Sequence, residues 1–449
     1  MNSVPPRKRA IGSWLLFDWA AQPFFTLITT FVFAPYFASR LADSPADGQA
    51  LWGWAAGIAG LIIALLSPVL GAAADCSGRR KPWIFAFSVV LIFSSLALWW
   101  GIPGQDGSIG LVLVAFVAGT VAVEFAVVFT NAMMPSLAPR EQWGRLSGYG
   151  WAAGYVSGLI CLVLVLGLMI GREETGLTLL GFEPLFGLDP AFAEGDRASG
   201  PFTALWYAVF VIPLFLFVPD GSGRARFLAS LREGYQITLL SIRQARKHRN
   251  AFTYLISHMI YADGLAAMFA FGGIYAALVF GWQTIEVGLF GILLTITGTI
   301  GAVLGGIADD RYGPKPVVLV SIVILIVSAV LLLSLQPDKV LWIVSVPEGG
   351  EGLFTGLSEQ VFLLVGGFIG AASGPLQSAS RTLMARIAPE DQRTQFFGLY
   401  ALSGKLTSFL GPFAVATVTA VTGDVTLGVA VLVIFLVVGF LGLLRVEAV

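Results

Sequence analysis

Twelve apolar stretches of about 20 residues divide this chain and leave few folds open to it. A helix of that length covers the ~30 Å of hydrocarbon in a bilayer. Only helices and closed barrels satisfy every backbone polar group at that depth. The stretches lie at 12–38, 52–74, 83–102, 109–134, 145–170 and 202–218. After a polar connection they resume at 252–280, 286–308, 316–335, 358–385, 396–420 and 425–444. Charged residues make up 12% of the 449 positions, where a soluble domain carries about a quarter. The chain therefore reads as an all-α, multi-pass membrane protein of six spans, a connection and six more. The basic start "MNSVPPRKRAIGSW" runs into a long apolar segment without a small-residue cleavage site, so it reads as a retained first helix and not a signal peptide.

Lysine and arginine placement sets the expected orientation, because cytosolic segments collect them. With the N-terminus inside, twenty of the 26 basic residues fall in inner segments, and Arg40, Arg172, Arg197 and Lys339 in outer ones. Arg381 and Lys405 remain within spans. Both termini are thus expected in the cytosol, the membrane being the plasma (inner) membrane if the chain is bacterial. Residues 1–218 and 251–449 read as two six-helix bundles. The connection 219–250, basic with spaced leucines and isoleucines, reads as an amphipathic surface helix and solvated tether in the cytosol. Cys76 and Cys161 imply neither a disulfide framework nor a metal cluster.

Two segments repeat. "GAAADCSGRRKP" (71–82) follows span 2 and "GIADDRYGPKP" (306–316) follows span 8, with Gly71, Asp75 and Gly78 falling on Gly306, Asp310 and Gly313 at an offset of 235. "NAMMPSLAPREQWGRLSGY" (131–149) matches "RTLMARIAPEDQRTQFFGL" (381–399) at an offset of 250. Repeated halves are the signature of secondary transporters, in which a site near the midplane is exposed to each side in turn. In each loop a carboxylate at a helix end can pair with cations and with a neighbouring helix dipole. The loop cations Arg79, Arg80 and Lys81, with Asp75, Gly78, Asp310, Gly313 and Lys405, are the expected cytosolic gate. Positive-inside anchoring alone explains the cations but not the repeated aspartate and glycines.

The acidic-glycine-basic loop after the second helix of each half resembles the signature loop of the major facilitator superfamily. That resemblance covers the whole chain and implies twelve transmembrane helices in two pseudo-symmetric six-helix bundles. More narrowly, "WLLFDWAAQPFFT" (14–26), "YADG" (261–264) and "GPLQSASRTLMARIAPEDQRTQFFGLY" (374–400) resemble the vacuole-effluxer-like branch, whose fungal members are linked to amino-acid export. Where that branch usually has a small polar stretch after Asp-Trp, this chain has "AAQPFF".

Charges at bilayer depth are costly and are functional candidates by default. Asp18, Glu124, Asp263 and Arg381 fall on spans 1, 4, 7 and 10, which the resemblance makes the cavity-lining helices; Lys405 falls on span 11. Helical spacing puts Asp18, Gln22, Phe25 and Thr26 on one face, Glu124 and Asn131 on another, and Gly374, Gln377, Ser378 and Arg381 on a third. Arg381 is expected to pair with an acid such as Glu124 or Asp18. His258 and Tyr261 complete the expected substrate and proton pathway. The bland alternative for these charges is a set of static interhelical pairs.

No phosphate-cradling loop and no His/Cys metal spacing is present, so neither an enzyme nor a cofactor is expected. The expected partners are a small-molecule substrate, protons as the candidate coupling ion and the bilayer, with the chain a monomer and no nucleic acid involved. A non-transporting receptor, or a lipid or drug carrier on the same fold, is the alternative. The outer segment 171–201 carries acids and a hydrophobic core that suits a short helix on the outer leaflet; it suggests no chemistry.

Overall fold

The computed structural model describes residues 8–105, 107–172, 175–221, 248–282, 284–347, 353–405, 407 and 410–447, without the side chain of Lys405 and a few others. Most of the expected tether 219–250 lies outside the described residues. The helices are α1 (Lys8–Pro23), α2 (Pro45–Ser77), α3 (Lys81–Ala97), α4 (Ser108–Met133), α5 (Trp143–Leu168), α6 (Glu194–Phe217), α7 (Arg249–Phe280), α8 (Thr284–Tyr312), α9 (Pro314–Leu333), α10 (Leu357–Ile387), α11 (Arg393–Lys405), α12 (Leu410–Thr422) and α13 (Val425–Leu444). Eleven of the twelve expected spans are long apolar helices among the described residues. The other, 396–420, is covered by α11 and α12.

By packing, the chain forms two compact units. Unit 1 comprises 1–138, 153–238 and 391–401; unit 2 comprises 139–152, 239–390 and 402–449. Each unit thus takes a short segment from the opposite sequence half, the start of α11 in one and of α5 in the other. In unit 1, α1 packs on α6, α4 on α2 and α3, and α3 on α6. In unit 2, α10 lies against α8 and α9, and α13 against α7, α9 and α12. The α8–α10 contact uses small residues: a Cβ on Gly301 would meet the backbone of Ala371, and one on Gly374 the backbone of Gly298 and Ala302. Close backbone approach of this kind drives helix association in lipid, where apolar burial does not. Outward positions such as Trp54, Leu65, Phe93, Val114 and Leu205 stay exposed, as a lipid-facing surface requires.

The first span departs from a regular helix. After Pro23 the chain winds as a π-helix over Phe24–Phe31, and the Thr29 and Thr30 hydroxyls donate to the carbonyls of Phe24 and Phe25. Proline removes one backbone donor, and the wider turn and these hydroxyls absorb the mismatch.

The described residues of the segment 171–201 do not form a surface helix. They make two 3₁₀ turns, Leu185–Gly187 and Pro190–Phe192, and α6 starts at Glu194, eight residues before the apolar stretch at 202. Arg197, expected in a loop, is buried in the first turns of α6. Its guanidinium lies 4.6 Å from the Trp99 ring centroid and donates to the Trp99 carbonyl at 2.9 Å.

The topology has a direct test. With Cys76 and Cys161 replaced, a cysteine for exposed Glu141 and one for exposed Thr175 should react with impermeant maleimide from opposite sides of the membrane. Reaction from the same side would break the span count.

Candidate functional site

Both signature-loop aspartates sit at helix ends and cap the first turn of another helix. In unit 1, Asp75 near the end of α2 accepts the N–H of Thr394 at 3.1 Å and that of Gln395 at 2.8 Å. Those two residues lie in the first turn of α11, whose first amides have no intrahelical partner and whose dipole favours negative charge. Arg80 joins the clasp, with one nitrogen 3.2 Å from the Asp75 carboxylate and Nε donating to the Thr394 hydroxyl at 2.8 Å. In unit 2, Asp310 near the end of α8 accepts the N–H of Arg145 at 3.2 Å, and the Arg145 side chain closes an ion pair on it.

Steric fit follows the same correspondence. A Cβ on Gly71 would come within 2.6 Å of the Thr394 carbonyl, and one on Gly306 within 2.7 Å of the Gly144 carbonyl. From the opposite helix, Gly398 lies on the Ser67 carbonyl and Gly148 on the Ala302 carbonyl. Residues 67, 71 and 75 are thus repeated at 302, 306 and 310, and 394, 395 and 398 at 144, 145 and 148. The two offsets read from the sequence therefore belong to two faces of one contact, made once in each unit. Gly78 (φ +63°) and Gly313 (φ +85°) take the chain out of α2 and α8 in backbone conformations that favour glycine.

Further groups brace the clasps. Asp220 accepts the N–H groups of Arg80 and Lys81 at 2.9 and 3.1 Å, capping α3. In unit 2, buried Asp309 lies 3.5 Å from an Arg386 nitrogen. Asp220, Asp309, Arg386, Thr394 and Gln395 carried no sequence signal as partners, although all but Asp220 stand in the repeated segments. Arg79 is exposed, and the side chain of Lys405 lies outside the described residues.

Arg381 is buried in unit 2, in the last turns of α10. Its Nε donates to the Ser147 hydroxyl at 2.8 Å and a terminal nitrogen to the Ser147 carbonyl at 2.6 Å. Its guanidinium carbon lies 5.9 Å from the Trp151 ring centroid, within cation–π range. Ser147 in turn donates to the Ser378 carbonyl at 2.7 Å. The face expected to hold Gly374, Ser378 and Arg381 is therefore engaged with α8 and with the start of α5. Gln377, half-buried, donates to the Ser373 carbonyl of its own helix at 3.3 Å.

The other pathway candidates fall into two groups. In unit 1, Asp18 and Gln22 are half-buried on α1. Gly154 and Gly158 of α5 pack against Gln22 and Thr26. On α4, Glu124 is half-buried and Asn131 buried. In unit 2, His258 Nδ1 lies 2.7 Å from the Ser403 hydroxyl, and the Tyr261 hydroxyl 2.7 Å from that of Ser380. Tyr254 donates to the Ser380 carbonyl at 2.7 Å, and the His258 and Tyr261 rings meet edge to face at 5.3 Å. Asp263 is buried on α7, its backbone carbonyl beneath Gly411.

A model of the family described as vacuole effluxer Atg22 like matches residues 47–448. The chain belongs to that family. It is 24% identical over 433 residues to the uncharacterized MFS-type transporter YxiO of Bacillus subtilis, covering 95% of this chain and 92% of the relative. It is 25% identical to autophagy-related protein 22 of Cryptococcus neoformans over 302 residues, 66% of this chain and 48% of that protein, so it spans about half the length of the fungal relative. Among solved structures, the proton:xylose symporter XylE matches at TM-score 0.69 and 14% identity over 98% of this chain and 97% of that one. The transporter FucP, in its outward conformation, matches at 0.69 and 14% over 98% and 99%. These likenesses establish the major facilitator fold. The Atg22-like chain is a transporter of that superfamily and not an enzyme.

Proposed function

We propose that this Atg22-like transporter moves a small zwitterionic, amino-acid-like solute outward from the cytosol by alternating access, driven by protons. The observation that carries the alternating-access reading is the repeated clasp. Asp75 on the α11 amides and Asp310 on the α5 amide each join a segment of one sequence half to the other at equivalent positions. A contact duplicated in this way suits an element that is made or broken as a whole. With both clasps made, the loop end is closed; their release opens it. The basic asymmetry of the sequence puts that end, both termini and the connection 219–250 in the cytosol, between bundles 1–218 and 251–449.

The family description, vacuole effluxer Atg22 like, supports efflux. A zwitterion suits a pathway that carries acids at Asp18, Glu124 and Asp263, a buried guanidinium at Arg381, and hydroxyl, imidazole and amide groups at Tyr261, His258, Gln22 and Asn131. Uptake and counterflow of a ¹⁴C-labelled amino-acid mixture in proteoliposomes test the reading. Protein-dependent, saturable counterflow is expected; its absence for amino acids alongside flux of lipid or hydrophobic dyes would favour the other solute classes.

Coupling is assigned first to Glu124, half-buried on α4 on the same helical face as Asn131. Desolvation favours the protonated form of a carboxyl and a nearby cation the ionised form, so an acid whose surroundings change between states carries a proton across. Glu124→Gln should abolish accumulation driven by a pH gradient while sparing counterflow. Full pH-driven accumulation by this variant would remove Glu124 from the coupling step.

A further inference from the structure

The described residues between α5 and α6 are firmly built, yet they turn apolar side chains outward. Thr178 donates its N–H to the Phe182 carbonyl at 2.8 Å, and Arg172 its N–H to the Leu177 carbonyl at 2.9 Å. Asp189 accepts the Ala191 N–H at 2.9 Å, and Glu194 accepts the N–H of Asp189 at 3.0 Å. Two arginines hold the following turn by its carbonyls. Arg40 donates to Pro190 and Ala191 at 3.3 and 3.1 Å, and buried Arg197 to Phe192 at 3.4 Å. A segment so tied down could have folded its large side chains inward. Instead Leu179, Leu180, Phe182, Leu185 and Phe192 are exposed, and Phe186 is 88% exposed. Phe186 also adopts φ +62°, a left-handed conformation that suits glycine or asparagine.

An apolar surface of this kind facing water invites aggregation, and in a native protein it marks a contact. The segment leaves α5, whose Val163 is exposed, and enters α6, whose Leu205 is exposed, so it starts and ends on helices with lipid-facing surfaces. Aromatic and aliphatic side chains mixed with a few charges, here Arg172, Glu183 and Asp189, are the composition of a headgroup layer. The same combination recurs in unit 2. A hairpin of β1 (Lys339–Val340) and β2 (Val344–Ser345) exposes Leu341, Trp342 and Ile343 at its tip, the first two at φ +56° and +60°.

We propose that the 177–192 segment is a membrane-surface anchor: it seats Phe182, Leu185 and Phe186 in the headgroup layer of the bilayer the chain spans. Arg40, at the end of the first span (Lys8–Leu41), and Arg197, in the first turns of α6, transmit that hold to those two spans. The partner is the lipid surface, and neither a second copy of the chain nor a soluble protein.

The test uses the full chain with Cys76→Ser and Cys161→Ala, reconstituted in phosphatidylcholine–phosphatidylglycerol liposomes. A nitroxide is placed at Leu185→Cys and, as a hydrated reference, at Glu141→Cys. The expected result is a shift of the 185 label to lipid-type accessibility, with collisions with oxygen favoured over nickel chelate. Adding Phe182→Ser and Phe186→Ser should return it toward the reference. Equal accessibility at 185 and 141 would overturn the proposal. Dipolar broadening at 185 that disappears on dilution with unlabelled protein would also overturn it, in favour of a contact between copies.

Discussion

Gly398→Val and Gly148→Val should each stop net transport while leaving the helices intact. Gly398 lies against the Ser67 carbonyl and Gly148 against that of Ala302, so any β-carbon there meets backbone and not a yielding side chain. Overpacking of this kind costs about 1–3 kcal/mol. If the contact forms only in the state closed at the loop end, the wedge biases the protein toward the open state by roughly ten- to a hundredfold, since each 1.4 kcal/mol is a factor of ten. The sign of the stability change separates wedge from misfolding. Replacing glycine by alanine inside a helix gains up to about 1 kcal/mol in propensity. Gly398→Ala should therefore keep expression and thermal stability near those of the parent and still lower net amino-acid flux. Parallel loss of yield and flux would mean that the glycine serves folding alone.

Asp75→Ala should be the most damaging single change at the loops, and more damaging than Asp310→Ala. Asp75 receives two backbone N–H groups and Arg80, and its side chain is 9% exposed. Hydrogen bonds to a charged group contribute about 1.5–3 kcal/mol each. Asp310 meets one backbone N–H and an Arg145 side chain that is 47% exposed, and such open pairs contribute about 1 kcal/mol or less. Hydrogen–deuterium exchange reads this directly: the Thr394 and Gln395 amides should exchange faster in Asp75→Ala, with a smaller effect at Arg145 in Asp310→Ala. Unchanged exchange at 394 and 395 would show that the clasp does not protect them.

Much of this was legible in the sequence, for reasons of solvent. A lipid-spanning helix needs about 20 apolar residues, and the expected spans and observed helices agree to within a few residues at most ends. The start of α6 was hidden because "EGDRASGP" (194–201) carries three charges, two glycines and a proline. Only the tertiary structure shows the Arg197 donors satisfied by carbonyls and its guanidinium stacked on Trp99. The repeats were legible as repeats. That the end of α2 meets the start of α11, and the end of α8 the start of α5, was not, because similarity reports equivalence and is silent on adjacency. Arg381 drew attention as a charge at bilayer depth. Its partners at Ser147 are a hydroxyl and a backbone carbonyl, and a carbonyl has no residue signature.

Cross-linking across one clasp tests the central claim most directly. Arg80 and Thr394 meet side chain to side chain at 2.8 Å. A protein with Arg80→Cys and Thr394→Cys, and with Cys76 and Cys161 replaced, can be joined by a short thiol cross-linker in proteoliposomes. The same preparation is then assayed for ¹⁴C amino-acid flux with the cysteines free, cross-linked, and released by a reductant that cleaves the linker. The account predicts flux with free cysteines, none when joined, and recovery on cleavage. Undiminished flux through fully cross-linked protein would contradict it, because the clasp would then have no part in opening the loop end.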